Sequence, residues 1–143
     1  LYFADQEAAR RTLGQEREAI LACSPEQLSE EIKSLLSPVD AQALTGDLAR
    51  WLTESQQDGL TPGDEGWWDD GVSHLATWGF DLDEIRVPVK IWHGREDRFV
   101  PVQHGEWLAA HIPAAQSEIS DRDGHLTMND RVGEIHEWLL QHF

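Results

Sequence analysis

The first half of the chain has apolar residues at helical spacing, whereas the second half alternates short β-branched runs with further helical patterns. In residues 4–22, Ala9, Leu13 and Ile20 are separated by charged side chains, which predicts an amphipathic helix with one apolar stripe. The helices predicted for this half have narrow apolar faces and cannot form a deep core alone. We therefore expect residues 1–80 to form a helical cap that packs against other elements.

Helix-start signals divide this cap into segments. Two stretches, 24–27 and 37–40, each place a capping serine before a proline at the first helical position. The first stretch also contains the glutamine of a capping box. A further helix is predicted from Thr45 to Gly59, and another follows Trp67 towards Trp78.

A different pattern begins after the cap. Residues 87–92 are rich in β-branched side chains and bounded by Pro and Gly, which predicts a strand. A helix is predicted over 101–111, a weaker strand over 116–120 and an amphipathic helix over 130–143. This order implies parallel pairing with a right-handed crossover. Because two parallel strands do not make a stable sheet, we expect residues 81–143 to hold part of an α/β core whose sheet is incomplete in this chain.

Asp97 and His125 each follow a predicted strand, where functional groups of open α/β sheets collect. Such an Asp can accept the imidazole Nδ1–H, and His is a natural base near neutral pH. Together they predict the acid and base of a catalytic triad. The alternatives are a local turn for Asp97 and a capping or core role for His125. Asp121 and Asp123 are weaker acid candidates, because they lie too close in sequence to reach His125 from a separate strand.

Two sequence segments resemble one family. Residues 85–101 resemble the segment around the acid of α/β-hydrolase fold enzymes, and residues 123–126 resemble that family's histidine loop. The resemblance covers 83–143 and implies the C-terminal portion of the fold, preceded by a cap. It also implies that Asp97 and His125 are the triad acid and base of a serine-type hydrolase of ester, peptide or amide bonds, with no cofactor.

The chain lacks the family's Gly-x-Ser-x-Gly nucleophile turn. The nearest string, 71–75, has no second glycine, and we expect Ser73 to lie in a helix. We therefore expect an N-terminal half of the same enzyme, on another chain or a missing segment, to supply the nucleophile, and this chain alone to be inactive. Two alternatives stay open. One is a non-catalytic interaction module, and the other is a hydrolase with an Asp nucleophile, like dehalogenases or epoxide hydrolases.

Aromatic residues concentrate towards the end of the cap. In capped hydrolases this region faces the cleft, so the resemblance implies that these rings line an apolar substrate pocket. The alternative is packing between cap and core. The candidates are Trp67, Trp68, Trp78 and Phe80.

The chain is strongly acidic, with 27 Asp and Glu against 11 Lys and Arg and a net charge of −16. This charge opposes binding to nucleic acid or an anionic membrane. The apolar runs are too short for a membrane span, and no signal segment precedes them, so we expect a cytoplasmic protein. Because the chain opens at Leu1 without Met, we expect a processed or truncated product. The single Cys23 predicts a buried thiol, and no histidine pair has metal-binding spacing.

Overall fold

The computed structural model describes residues 5–143, which contain seven α-helices and two β-strands. The helices are α1 (Gln6–Ala22), α2 (Pro25–Lys33), α3 (Pro38–Ala43), α4 (Gly46–Leu60), α5 (Glu65–Leu75), α6 (Val102–His111) and α7 (Val132–His142). The strands are β1 (Lys90–Gly94) and β2 (Gln116–Ser120), and 3-10 turns cover Leu82–Glu84 and Thr127–Arg131.

The helix-start signals of the cap are confirmed by side-chain caps. Helix α1 begins after Asp5, whose carboxylate accepts a hydrogen bond from the Ala8 amide at 2.9 Å. Residue 4 of the predicted helix lies outside the described residues. Before α2, the Ser24 amide donates to Gln27 Oε1 at 2.8 Å and the Gln27 amide donates to Ser24 Oγ at 3.3 Å. This reciprocal pair is the predicted capping box.

The described residues form two compact units, of which the first comprises 5–31 and 46–79. Its apolar core contains Ala9 and Leu13 of α1 and Trp68 of α5. Away from this core, Gln57 of α4 donates to the Cys23 carbonyl at 2.9 Å, beyond the end of α1. Cys23 itself is half-buried. Burial raises the pKa of its thiol, and the nearby Glu31 carboxylate adds to that rise.

Trp68 is the largest side chain of this core, and only 7% of it is exposed. The Arg10 guanidinium lies 4.1 Å from the centroid of its ring. We expect Trp68→Ala to lower the free energy of unfolding by about 3–5 kcal/mol, because it leaves a cavity against α1. Urea unfolding followed by circular dichroism measures this loss. Trp51→Ala on α4, where the indole is 60% exposed, is the matched control and should change stability by about 0.5 kcal/mol or less. Equal losses in both variants would contradict a packing role for Trp68.

The second unit comprises 32–45 and 80–143 and contains both strands. Strands β1 and β2 are parallel, with Lys90 opposite Gln116 and Gly94 opposite Ser120. Helix α7 lies beside the sheet, where the Trp138 and Trp92 rings meet edge to face at 5.8 Å between centroids. The predicted order of strand, helix, strand and helix with parallel pairing is therefore confirmed.

The first strand starts later than the sequence predicts. Residues 87–92 were expected to form it, but β1 begins at Lys90. Pro88 has no amide hydrogen to donate to a ladder, and the pairing starts with the Gln116 amide bonding to the Val89 carbonyl at 2.9 Å. At the other end, β1 reaches Gly94, and the Arg95 amide still bonds to Ser120.

The two units follow other bounds than the predicted division into 1–80 and 81–143, which stays a prediction: residue 80 and, more importantly, residues 32–45 fall in the second unit. Residues 32–45, which include α3, belong with the strands rather than with the other cap helices. Ser37 and Asp40 of this segment are fully buried. The Arg98 guanidinium also donates a hydrogen bond to the Leu36 carbonyl at 3.0 Å. Long-range contacts of this kind are not visible as a local sequence pattern.

Across residues 5–143, no helix combines the length and the apolar character that a membrane crossing requires.

Candidate active site

Asp97 lies in the loop that follows β1, and the fold of this loop orients its carboxylate. Oδ1 accepts hydrogen bonds from the amides of Phe99 and Val100, both at 2.8 Å. The side chain is only 7% exposed. Two amide bonds at one oxygen fix the plane of the carboxylate and leave Oδ2 for a second partner. The local turn considered as an alternative for Asp97 is therefore present, together with a further contact.

That further contact is His125, in the loop that follows β2. His125 Nδ1 lies 3.0 Å from Asp97 Oδ2. Because a carboxylate oxygen only accepts, the proton of this bond lies on Nδ1, and the Nε2 lone pair remains for proton transfer. The imidazole is 45% exposed, and the Phe99 ring lies 5.2 Å away between centroids. The structure thus brings the predicted acid and base into contact with the geometry that a triad needs.

The environment of Asp97 favours its charged form. Burial alone raises the pKa of this carboxyl, but the bonds from the Val100 amide, from His125 and from the Phe99 amide together outweigh it. The net result is a pKa below the ordinary value for Asp. An ionised carboxylate at neutral pH can stabilise the imidazolium that forms when His125 takes up a proton.

Two glycines allow the two loops to approach each other. A Cβ on Gly94 would overlap the carbonyl of Asp123, and a Cβ on Gly124 would overlap the carboxylate of Asp40. Neither Gly94 nor Gly124 has a positive φ. Close approach between neighbouring segments, and not a left-handed backbone, is therefore what requires glycine at these two positions.

Two residues that the sequence did not assign to the site contact the loops that carry Asp97 and His125. His93 of β1 is bonded through Nε2 to the Val100 carbonyl at 2.8 Å, behind Asp97. Asp40 of α3 has a side chain with no exposed surface, and it accepts hydrogen bonds from the backbone of the histidine loop. The only sequence signal at Asp40 was its place in a helix start, which says nothing about that loop.

The weaker acid candidates have other partners. Asp121 accepts a bond from Arg95 Nε at 2.8 Å, and Asp123 accepts bonds from Arg131 at 3.1 and 3.2 Å. Each carboxylate is thus paired with a guanidinium. This observation favours Asp97 over both of them as the partner of His125.

The four aromatic candidates for substrate binding lie in different environments. Trp68 packs with Ala9 and Leu13 in the core of the first unit, which is packing within the cap and not the packing between cap and core considered for these rings; a substrate role for Trp68 stays a prediction. Trp67 packs beside that core and also lines an open cleft of about 490 Å³ with Ile20, Leu60 and other residues of α4 and α5. Trp78 and Phe80 are about half exposed. A substrate role for Trp67, Trp78 and Phe80 stays a prediction.

Ser73, the serine of the imperfect nucleophile string, lies inside α5 with an exposed side chain. A regular helix does not present the strained strand-to-helix turn that a nucleophile elbow needs. Within the described part of the chain, no group of three or more His, Cys, Asp or Glu side chains could hold a metal ion.

Comparison with curated proteins found relatives among hydrolases. A 2-hydroxy-6-oxononadienedioate/2-hydroxy-6-oxononatrienedioate hydrolase of Cupriavidus pinatubonensis is 48% identical over 51 residues, which are 36% of this chain and 18% of that protein. A pimeloyl-[acyl-carrier protein] methyl ester esterase of Aromatoleum aromaticum is 40% identical over 57 residues, 38% of this chain and 23% of that protein. No protein-family model matches the chain.

Comparison with solved structures extends the likeness to most of the chain. A thermophilic esterase from Thermogutta terrifontis superposes with a TM-score of 0.63 at 21% identity, over 97% of this chain and 53% of the esterase. A meta-cleavage product hydrolase from Pseudomonas fluorescens superposes with a TM-score of 0.58 at 23% identity, over 84% of this chain and 45% of the hydrolase. The chain therefore spans about half the length of these two structures, and the match to the curated relatives covers less than a quarter of their length.

Proposed function

This chain carries the C-terminal portion of an α/β-hydrolase fold, and on that premise we propose that it supplies the acid and base of a serine-type hydrolase. The observation that carries the proposal is the 3.0 Å contact between Asp97 and His125 at the carboxyl ends of two parallel strands. Asp97 is the acid and His125 the base. The relatives named as hydrolases and esterases support the hydrolytic chemistry.

The contacts of the pair define its part in the reaction. His125 Nε2 takes the proton of an attacking serine hydroxyl, while the serine oxygen bonds to the carbonyl carbon of the substrate. Asp97 stabilises the imidazolium, which then gives its proton to the leaving group as the acyl bond breaks. In the second half, His125 takes a proton from water, the hydroxide oxygen bonds to the acyl carbon, and the serine regains the proton as the acid product leaves.

The nucleophile is proposed to lie on a segment that belongs N-terminal to this chain in the parent enzyme. The second unit leaves apolar side chains more than a third exposed, as expected of a surface that further core elements cover. Those most exposed after the cap are Val87, Trp107, Leu140 and Phe143. A sheet of two parallel strands also gains stability from further strands. A substrate with an ester, amide or related acyl group completes the proposal.

The test is to join this chain to the coding segment immediately upstream of Leu1 and to assay the product, called here the reconstituted enzyme. The relatives' names suggest two substrate types, an ester and a 2-hydroxy-6-oxo-dienoate. We expect the reconstituted enzyme to hydrolyse one of them, with a p-nitrophenyl ester as the ester probe. A phosphonate probe should label a serine of the upstream segment. The chain without that segment is the control, and we expect no turnover from it. Equal turnover in the two proteins, or an Asp at the nucleophile position, would contradict the proposal.

A further inference from the structure

Asp40, the fully buried carboxylate of α3, makes a set of hydrogen bonds that are separate from the contact between Asp97 and His125. Asp40 Oδ2 accepts bonds from the His125 amide at 2.8 Å and from Ser37 Oγ at 3.0 Å. Oδ1 accepts bonds from the amides of Leu126 and Thr127 at 2.9 and 3.1 Å. Thr127 Oγ1 lies 3.4 Å from the same oxygen. Three consecutive amides of the histidine loop thus converge on one side chain.

The full burial of Asp40 makes these bonds obligatory for its carboxylate. A buried amide that loses its acceptor costs free energy comparable to a lost hydrogen bond, and a buried carboxylate without donors costs more. The bonds therefore hold both partners in one arrangement. Gly124 is part of it, because any Cβ at that position would overlap the Asp40 carboxylate.

The segment that carries Asp40 also contacts the loop of the triad acid. The Arg98 guanidinium, next to Asp97, donates to the Leu36 carbonyl at 3.0 Å. Ser37 caps α3, and its hydroxyl bonds to Asp40, so the carboxylate is fixed to the start of this helix. One short segment, 36–40, is thereby bonded to both loops that meet in the Asp97–His125 pair.

We propose that Asp40 is a positioning residue for His125, which fixes the backbone of the histidine loop so that Nδ1 stays in contact with Asp97. The expected effect of Asp40 on turnover rests on the proposed function. The claim that Asp40 sets the geometry of the Asp97–His125 pair does not depend on which reaction the pair performs.

The test is Asp40→Asn in the reconstituted enzyme. An asparagine keeps the size of the side chain but turns an NH2 group towards one set of donors, so at least one loop amide loses its acceptor. We expect kcat to fall by about 100-fold, the effect of a misplacement near 1 Å, with KM unchanged. Long-range ¹H–¹⁵N spectra should show His125 protonated on Nδ1 in the wild type and a mixture of tautomers in the variant.

The matched control is Leu44→Ala, because Leu44 lies at the end of α3 in the same buried segment. It should lower the unfolding midpoint at least as much as Asp40→Asn, while kcat and the His125 spectrum stay as in the wild type. If Asp40 had a purely structural role, Asp40→Asn and Leu44→Ala would have the same kcat and the same His125 spectrum. If Asp40→Asn leaves both kcat and the tautomer unchanged, the inference is wrong.

A measurement on the wild type keeps the inference testable if the variant does not fold. Hydrogen exchange should show the amides of 125–127 protected, although 125 and 126 lie outside the described helices and strands and Thr127 is only the first residue of a 3-10 turn. Fast exchange at all three would overturn the inference. Failure of the proposed function would look different. His125→Ala would then leave turnover intact, whereas failure of this inference alone leaves the Asp97 and His125 variants inactive and Asp40→Asn active.

Discussion

Replacing His125 by alanine is expected to lower kcat of the reconstituted enzyme by about four orders of magnitude or more. The change removes the imidazole that is hydrogen-bonded to the buried Asp97 carboxylate at 3.0 Å. Without a base, the nucleophile must lose its proton to water. Initial rates with a p-nitrophenyl ester measure the loss, after circular dichroism has shown that the variant is folded.

The matched control for this variant is His136→Ala. His136 lies on α7 with an exposed side chain, and it has no place in the proposed pair. We expect the wild-type rate from this control. A rate near the wild-type value for His125→Ala itself would exclude His125 as the base.

The second large effect is expected for Asp97→Asn, with a loss in kcat of about 10⁴-fold. The amides of Phe99 and Val100 would bond to the single oxygen of the new side chain, as they bond to Asp97 Oδ1. The NH2 group would then face His125 Nδ1 and donate to it. That arrangement places the imidazole proton on Nε2, where it blocks the acceptance of a proton from the nucleophile.

Asp121→Asn is the matched control for the acid. Asp121 was a weaker candidate for the same role, and it is paired with Arg95 at the surface, with 83% of its side chain exposed. We expect kcat to stay at the wild-type value in this control. A greater loss from Asp121→Asn than from Asp97→Asn would reverse the assignment of the acid.

The contact between Asp97 and His125 was predictable from sequence because each residue follows a short predicted strand. A β-branched run that ends in glycine identifies the end of a strand, and an Asp or His shortly after it lies at the carboxyl edge of the sheet. The parallel pairing of β1 with β2 then brings both loops to one edge. No long-range information beyond the order of strands was needed for this step.

Asp40 and Trp68 show where that reasoning stops. The stretch 37–40 is a correct helix start, yet the same Asp side chain turns away to bond residues 85 to 87 positions later. The sequence contains no periodic pattern that records such a contact. For Trp68, the amphipathic pattern allows either packing or a ligand surface, and its burial against Ala9 and Leu13 is a long-range contact that the pattern does not record.

The long separation between Asp40 and its amide partners also bears on the order in which the protein is made. During synthesis, residue 40 precedes its partners by 85 or more residues, so its carboxylate lacks these donors until residues 125–127 have been made. Closing so wide a loop costs chain entropy before the hydrogen bonds form, and contacts of this kind slow folding. The histidine loop can therefore take its described shape only after both distant segments have been made and brought together, and the contact between His125 and Asp97 depends on that closure.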